Sequence, residues 1–135
     1  MTPVSVHARW FLASGALLAA VAVALGAAAS HALRPLLAAN DPAGWFAVAP
    51  EYHRWHAGGL IAVGLAAALF PASRWFTLAG WLLLAGIVLF SGSLYLRSLA
   101  GVHALHAVTP FGGAAFILGW LTAAVGGLRL PSQRT

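Results

Sequence analysis

The sequence predicts an all-α integral membrane protein, a bundle of four spanning helices. Three observations carry this. Hydrophobic residues make up 61 % of the chain and charged residues only 7 %, against roughly 25 % charged in a soluble domain. Too little polar side chain is present to cover a water-soluble globule, so the apolar excess must face lipid. Four stretches reach the length of about 20 mainly apolar residues that a spanning helix needs. Single arginines and tryptophans flank these stretches, as headgroup anchors do.

The 135 residues form a single membrane domain, with spanning helices expected over about 10–29, 52–70, 75–96 and 110–128. The first carries no charge between Arg9 and Arg34. Its basic start, apolar run and Ala27-Ala28-Ala29-Ser30 end also resemble a cleavable signal peptide. The run is long enough to span, and retention is the expectation. The second and third helices are separated by little more than Pro71-Ala72-Ser73-Arg74, which forces an antiparallel hairpin. In the 31–51 connection, Asn40-Asp41-Pro42 is a helix-start signal, with Asp41 as cap and Pro42 in the first helical position. A short interfacial helix bearing Trp45, Phe46 and Val48 should follow and end near Pro50. A second short interfacial helix is expected in 98–109, where Leu99, Val102, Leu105 and Val108 recur every three residues. Pro110 suits the first turn of the last helix.

The formal charge of +5 does not indicate nucleic acid. The seven arginines stand singly between apolar blocks and form no basic face. Arg9, Arg74, Arg129 and Arg134 fall on the N-terminal side, and Arg34, Arg54 and Arg97 on the other. The positive-inside rule places both termini in the cytoplasm. Cysteine is absent, which excludes disulfides and thiolate chemistry.

Helices in lipid associate through small residues and interhelical hydrogen bonds. Gly112, Gly119 and Gly126 recur every seven residues, with Ala115 and Ala123 on the same face. Gly15, Ala19, Ala22 and Gly26 repeat the device on the first helix. These faces should be buried, and Leu17, Leu18, Leu25, Phe116, Ile117 and Leu121 should face lipid or fill gaps.

The ionisable residues gather at one membrane face: His31, Glu51, His53, Arg54, His56, Arg97, His103 and His106, with Tyr52, Tyr95, Ser91, Ser93 and Thr109 nearby. Such groups in a membrane helix are a functional hypothesis by default. Three uses compete. His53-x-x-His56 and His103-x-x-His106 pair imidazoles at helical spacing, and with Glu51 they are weak metal candidates; haem held by His31 and His56 is a narrower version. His31, Glu51 and His56 could instead carry protons or hold a small ligand. The third use is structural, and it leads. Glu51 pairs with Arg54 or Arg97, and His31 and His56 tie helix ends together. No enzymatic centre and no resident cofactor are expected. Only two acidic residues are present, and Ser91-Gly92-Ser93 lacks the G-x-S-x-G frame of a nucleophile elbow. Gly92 there should permit close helix contact, with the serine hydroxyls bonding within the helix.

Several of these segments resemble a known family. Leu89-Phe90-Ser91-Gly92-Ser93-Leu94-Tyr95, then Thr109-Pro110-Phe111-Gly112-Gly113, then Gly119-Trp120, are similar in order and spacing to domain-of-unknown-function family 423, small YgdD-like bacterial inner-membrane proteins. Upstream, Leu25-Gly26-Ala27 through Ser30-His31-Ala32-Leu33 resembles the family's Gly-Ala-x-Gly-Ala-His segment, and Glu51-Tyr52-His53-Arg54-Trp55-His56-Ala57 its Glu-Tyr-x-x-x-His segment. The resemblance implies a four-helix inner-membrane protein with an uncleaved first helix, and no activity. It puts His31, Glu51, Tyr52 and His56 on motif positions. His53 stands where the family has Gln, and His103 and His106 lie in a variable stretch. Ala29 and Ser30 depart from the family's Gly and Ala. Pro50 also departs, and a kink is expected there. The function expected is that of a non-enzymatic accessory or scaffold protein. Its partners are the lipid bilayer and, through intramembrane contacts, other membrane proteins or a second copy.

Overall fold

A computed structural model describes residues 4–131; Arg134 lies outside the described residues. The protein is an all-helical membrane bundle. α1 covers Val6–Ala29, α2 Arg34–Asn40, α3 Trp45–Leu69, α4 Arg74–Ala100 and α5 Thr109–Leu128. A 3₁₀ turn, His103–Ala107, joins α4 to α5.

Three segments are long and apolar enough to cross a membrane on their own: α1, α4, and His103–Leu128, which contains α5. The remaining expected span falls within α3, which is not apolar enough on its own. α3 is equally long, at 25 residues, but Glu51, His53, Arg54 and His56 lower the hydropathy of its first half. It buries more of its residues than any other helix, among them Ala57, Leu60, Val63 and Ala67. Its packed face lies against α1 and α4, which give it apolar surroundings that its own composition lacks.

Helix starts and stops follow local chemistry. Ser5 caps α1, its hydroxyl accepting from the Ala8 N–H at 3.2 Å. This brings the helix start forward from the expected Trp10. Asp41 caps α3, accepting from the N–H groups of Trp45 at 3.0 Å and Phe46 at 2.7 Å. The capping residue was legible in the sequence, but the geometry differs. Pro42 lies in a turn ahead of the helix, and Gly44, at φ +72°, supplies the left-handed step into it. Gly101, at φ +67°, ends α4 in the same conformation, which a side chain would strain.

The separate interfacial helix expected before Pro50 does not exist, because α3 runs through Pro50 unbroken. A proline in the second turn deprives only the Phe46 carbonyl of its N–H. The turn before it is held independently, by the Asp41 carboxylate and by two contacts to α4. The Phe46 ring lies 5.5 Å from that of Tyr95, and the Arg97 guanidinium sits 4.8 Å from the Trp45 ring. α2 was not expected at all. It buries none of its residues, so it has no apolar periodicity to announce it. The expected interfacial helix in 98–109 divides instead: residues up to Ala100 prolong α4, and only His103–Ala107 form a turn of their own.

The bundle closes through rings set into glycine notches. Phe11 of α1 lies on Gly80 of α4, and Phe116 of α5 on Gly86. Trp120 covers Gly59, where a Cβ would come within 2.7 Å of the ring. Gly15 meets Ile61 and the Ala57 carbonyl, and Gly64 meets the Leu12 backbone. Partner numbers fall along α3 as they rise along α1, so these two helices are antiparallel. α4 and α5 are antiparallel by the same test, through Gly112 on Phe90, Gly119 on Leu83 and Gly126 on Phe76. The faces of Gly15, Gly112, Gly119 and Gly126 are therefore helix contacts. Gly26 meets Arg54 at 3.5 Å and Gly113 meets the Phe90 ring at 3.7 Å, both ordinary contacts, and Gly92 meets almost nothing. Phe116 is core, while Leu17, Ile117 and Leu121 point outward.

Candidate functional site: the histidine-rich end

The polar end is built where the first half of α3 meets the second half of α4. α4 is not regular there. Ile87–Ser91 form a π-helical turn, in which one extra residue is accommodated and the faces beyond it rotate. Beyond it, Ser93, Leu94 and Ser98 are buried.

Among the described residues, three side-chain hydrogen bonds join elements distant in the sequence. His53 Nδ1 and the Tyr95 hydroxyl are 3.2 Å apart, joining α3 to α4. The hydroxyls of Ser93 and Thr109 are 2.8 Å apart, joining α4 to α5, and Ser93 also bonds the Phe90 carbonyl within its own helix. The Asn40 amide donates to the Leu99 carbonyl at 3.1 Å and ties α2 to the end of α4. His56 turns elsewhere. Its Nδ1 is 2.7 Å from the Tyr52 carbonyl one turn back. A carbonyl only accepts, so Nδ1 carries the proton there. The ring stacks on Phe116 with centroids 3.4 Å apart, and Tyr52 stacks beside it.

This geometry separates the histidine pairs. His53 turns toward Tyr95 of α4 and His56 toward Phe116 of α5, so the two rings are not aimed at a common point. His103 and His106 are exposed in the 3₁₀ turn, where His106 Nδ1 bonds the His103 carbonyl. Among the described residues, no three of His, Asp and Glu gather closely enough to hold a metal ion. His31 is exposed in the turn after α1, and Glu51 is exposed on α3. No hydrogen bond or ring contact among the described residues joins either to His56. Glu51 forms no ion pair with Arg54 or Arg97; Arg97 instead lies over Trp45. Of the polar residues singled out from the sequence, the structure thus brings together Ser93 with Thr109, Tyr52 with His56, and Tyr95 with His53. It leaves His31 and Glu51 outside.

Ser91 departs from the expectation of hydroxyls bonded within the helix. Its Oγ is buried with no partner, as are Ser98 Oγ and His53 Nε2. Sequence reading also missed Asn40 as a tether between elements, since Asn40-Asp41-Pro42 carries the same signal whether Asn40 caps or reaches across. The opposite end is simpler. Trp75 is flanked by the guanidinium groups of Arg74 at 5.4 Å and Arg129 at 4.8 Å, a cation–π clamp at an interfacial tryptophan.

Comparison with known proteins bears on the whole chain. No solved structure matches it. Over residues 25–113 it matches the model of a family described as protein of unknown function (DUF423). It is 39 % identical over 121 residues to a UPF0382 membrane protein of Staphylococcus saprophyticus, covering 89 % of this chain and 98 % of that one. Identity to the UPF0382 membrane protein YwdK of Bacillus subtilis is 40 % over 119 residues, 88 % and 96 % of the two chains. Identity to the UPF0382 inner membrane protein YgdD of Escherichia coli is 38 % over 126 residues, 93 % and 94 % of the two. These matches span nearly the full length of each relative, and the chain belongs to the DUF423 family of membrane proteins of unknown function.

Proposed function

We propose that this protein is a non-enzymatic accessory or scaffold component of the bacterial inner membrane, acting through contacts within the bilayer. The observation that supports this reading best is how its polar groups are used. They bond in separate pairs that tie one element to another, His53 with Tyr95, Ser93 with Thr109 and Asn40 with Leu99, rather than converging on a reaction centre. The outward faces of α1 and α5 offer bulky apolar side chains such as Leu17, Ile117 and Leu121. These suit a partner helix as well as lipid.

The test is in-membrane cross-linking of the full chain followed by detergent purification and mass spectrometry. A co-isolated integral membrane protein that is lost in Ile117→Trp or Leu121→Trp supports the reading. A protein isolated alone with stoichiometric metal or haem refutes it. With α3 crossing as the fourth helix, both termini lie in the cytoplasm, on the side of Arg9, Arg74 and Arg129. A reporter fused at Thr135 that is active only outside the cytoplasm overturns this orientation.

A further inference from the structure

α1 and α4 run parallel and touch at one end, where Phe11 lies on Gly80 and His7 lies edge-on to Trp81. Toward the histidine-rich end they part. The gap is a groove of about 510 Å³ with an almost wholly apolar lining. Leu18, Val21 and Leu25 form one wall, and Val88 and Leu96 lie on the other, where the π-helical turn displaces α4. His53 and Tyr95 line it as well. His53 is only 3 % exposed, and its Nε2 has no partner.

The charge at this end is unbalanced. Arg54 packs over Gly26, directly beyond the Leu25 wall, with its guanidinium 3.5 Å from the site of a glycine Cβ. Among the described residues it is in no ion pair. The nearby acids do not neutralise it: Glu51 forms no ion pair with it, and both oxygens of Asp41 are engaged by the start of α3. Arg97, past the Leu96 wall, is held on Trp45. Arg54 is itself exposed and so accessible to a headgroup, as are Arg34, His31, His103 and His106 at this end.

We propose that the groove between α1 and α4 is a binding site for one anionic glycerophospholipid, whose acyl chain lies along Leu18, Leu25 and Val88 and whose phosphate pairs with Arg54. An apolar slot open to the bilayer selects a chain, and an unpaired cation at its headgroup end selects the charge. A neutral lipid satisfies the slot but leaves Arg54 without a counterion. A partner helix satisfies the slot but offers no anion at that level unless it carries one. This inference is independent of the scaffold reading and stands or falls separately.

The experiment is native mass spectrometry of the full-length protein released from nanodiscs of phosphatidylcholine with a minority of phosphatidylglycerol. The wild type is expected to retain one phosphatidylglycerol in preference to phosphatidylcholine, by about fivefold for one arginine near the surface. Arg54→Gln should bring the ratio close to one, Arg54→Lys should keep most of it, and Arg34→Gln should leave it unchanged. Val88→Trp, on an outward-facing residue that lines the groove, should lower retention of both lipids; it also serves as the test if Arg54→Gln does not fold. Equal retention of the two lipids by the wild type overturns the proposal. So does an equal effect of Arg34→Gln, which would mean diffuse attraction by the whole face. A dimer that Val88→Trp abolishes would assign the groove to a second copy instead.

Discussion

At the scale of residues, the bundle depends on which glycines are contacts and which are not. Gly112 is the strictest. A Cβ there runs into the backbone of Phe90 and Leu89, which cannot swing aside as a side-chain terminus can. Gly127, on the same helix, meets nothing within 4 Å. Gly112→Ala is therefore expected to destabilise the protein by about 1–3 kcal/mol, the usual cost of overpacking a filled core. Gly127→Ala should be neutral or stabilising by up to about 1 kcal/mol, the helix-propensity difference. Unfolding in mixed detergent micelles, followed by circular dichroism, measures both, and equal effects would refute the assignment. The seven-residue recurrence of Gly112, Gly119 and Gly126 was readable because it lies on one helix. Gly59, Gly64, Gly80 and Gly86 were not singled out. Each is a notch for a residue on another helix, and nothing near it in sequence names that residue.

At the scale of elements, α3 is the instructive case. Proline in its second turn argued for two pieces. Its continuity depends on a cap that replaces missing internal bonds, since both Asp41 oxygens serve N–H groups of the first turn. Asp41→Ala should cost about 1 kcal/mol, as loss of an N-cap does, and Asp41→Asn much less. If Asn behaves like Ala in the same unfolding titration, the cap is not what holds the turn. The hydroxyl pair between α4 and α5 is a smaller tie. Interhelical hydrogen bonds in membrane proteins average about 0.6 kcal/mol, so a double-mutant cycle on Ser93→Ala and Thr109→Val should return a coupling of that order. The π-helical turn had no signature in Ile87-Val88-Leu89-Phe90-Ser91, which reads as ordinary spanning helix.

At the scale of the whole molecule, burial is uneven. α2 and the His103–Ala107 turn bury no residues, whereas α3 and α4 carry the interior. Backbone amides open locally where few apolar contacts hold them. Hydrogen–deuterium exchange in nanodiscs should therefore be fast over Arg34–Asn40 and His103–Ala107 and slow over Leu60–Ala67 and Ala79–Gly86. Comparable protection of α2 and α3 would mean that a partner or the headgroup layer covers α2.

By itself, the sequence determined the solvent, the fold class and the family. Each rests on quantities summed along the chain or on motifs contiguous in it: apolar runs too long for a soluble core, arginine and tryptophan at their ends, and ordered short segments such as Thr109-Pro110-Phe111-Gly112-Gly113. Only the tertiary structure decided which polar residues meet. His53 and His56 are three positions apart on one helix, yet they turn to different neighbours, His53 to Tyr95 of α4 and His56 to Phe116 of α5. Local spacing cannot place a neighbouring helix. That placement is set by rings in glycine notches, and each notch joins residues far apart in the chain.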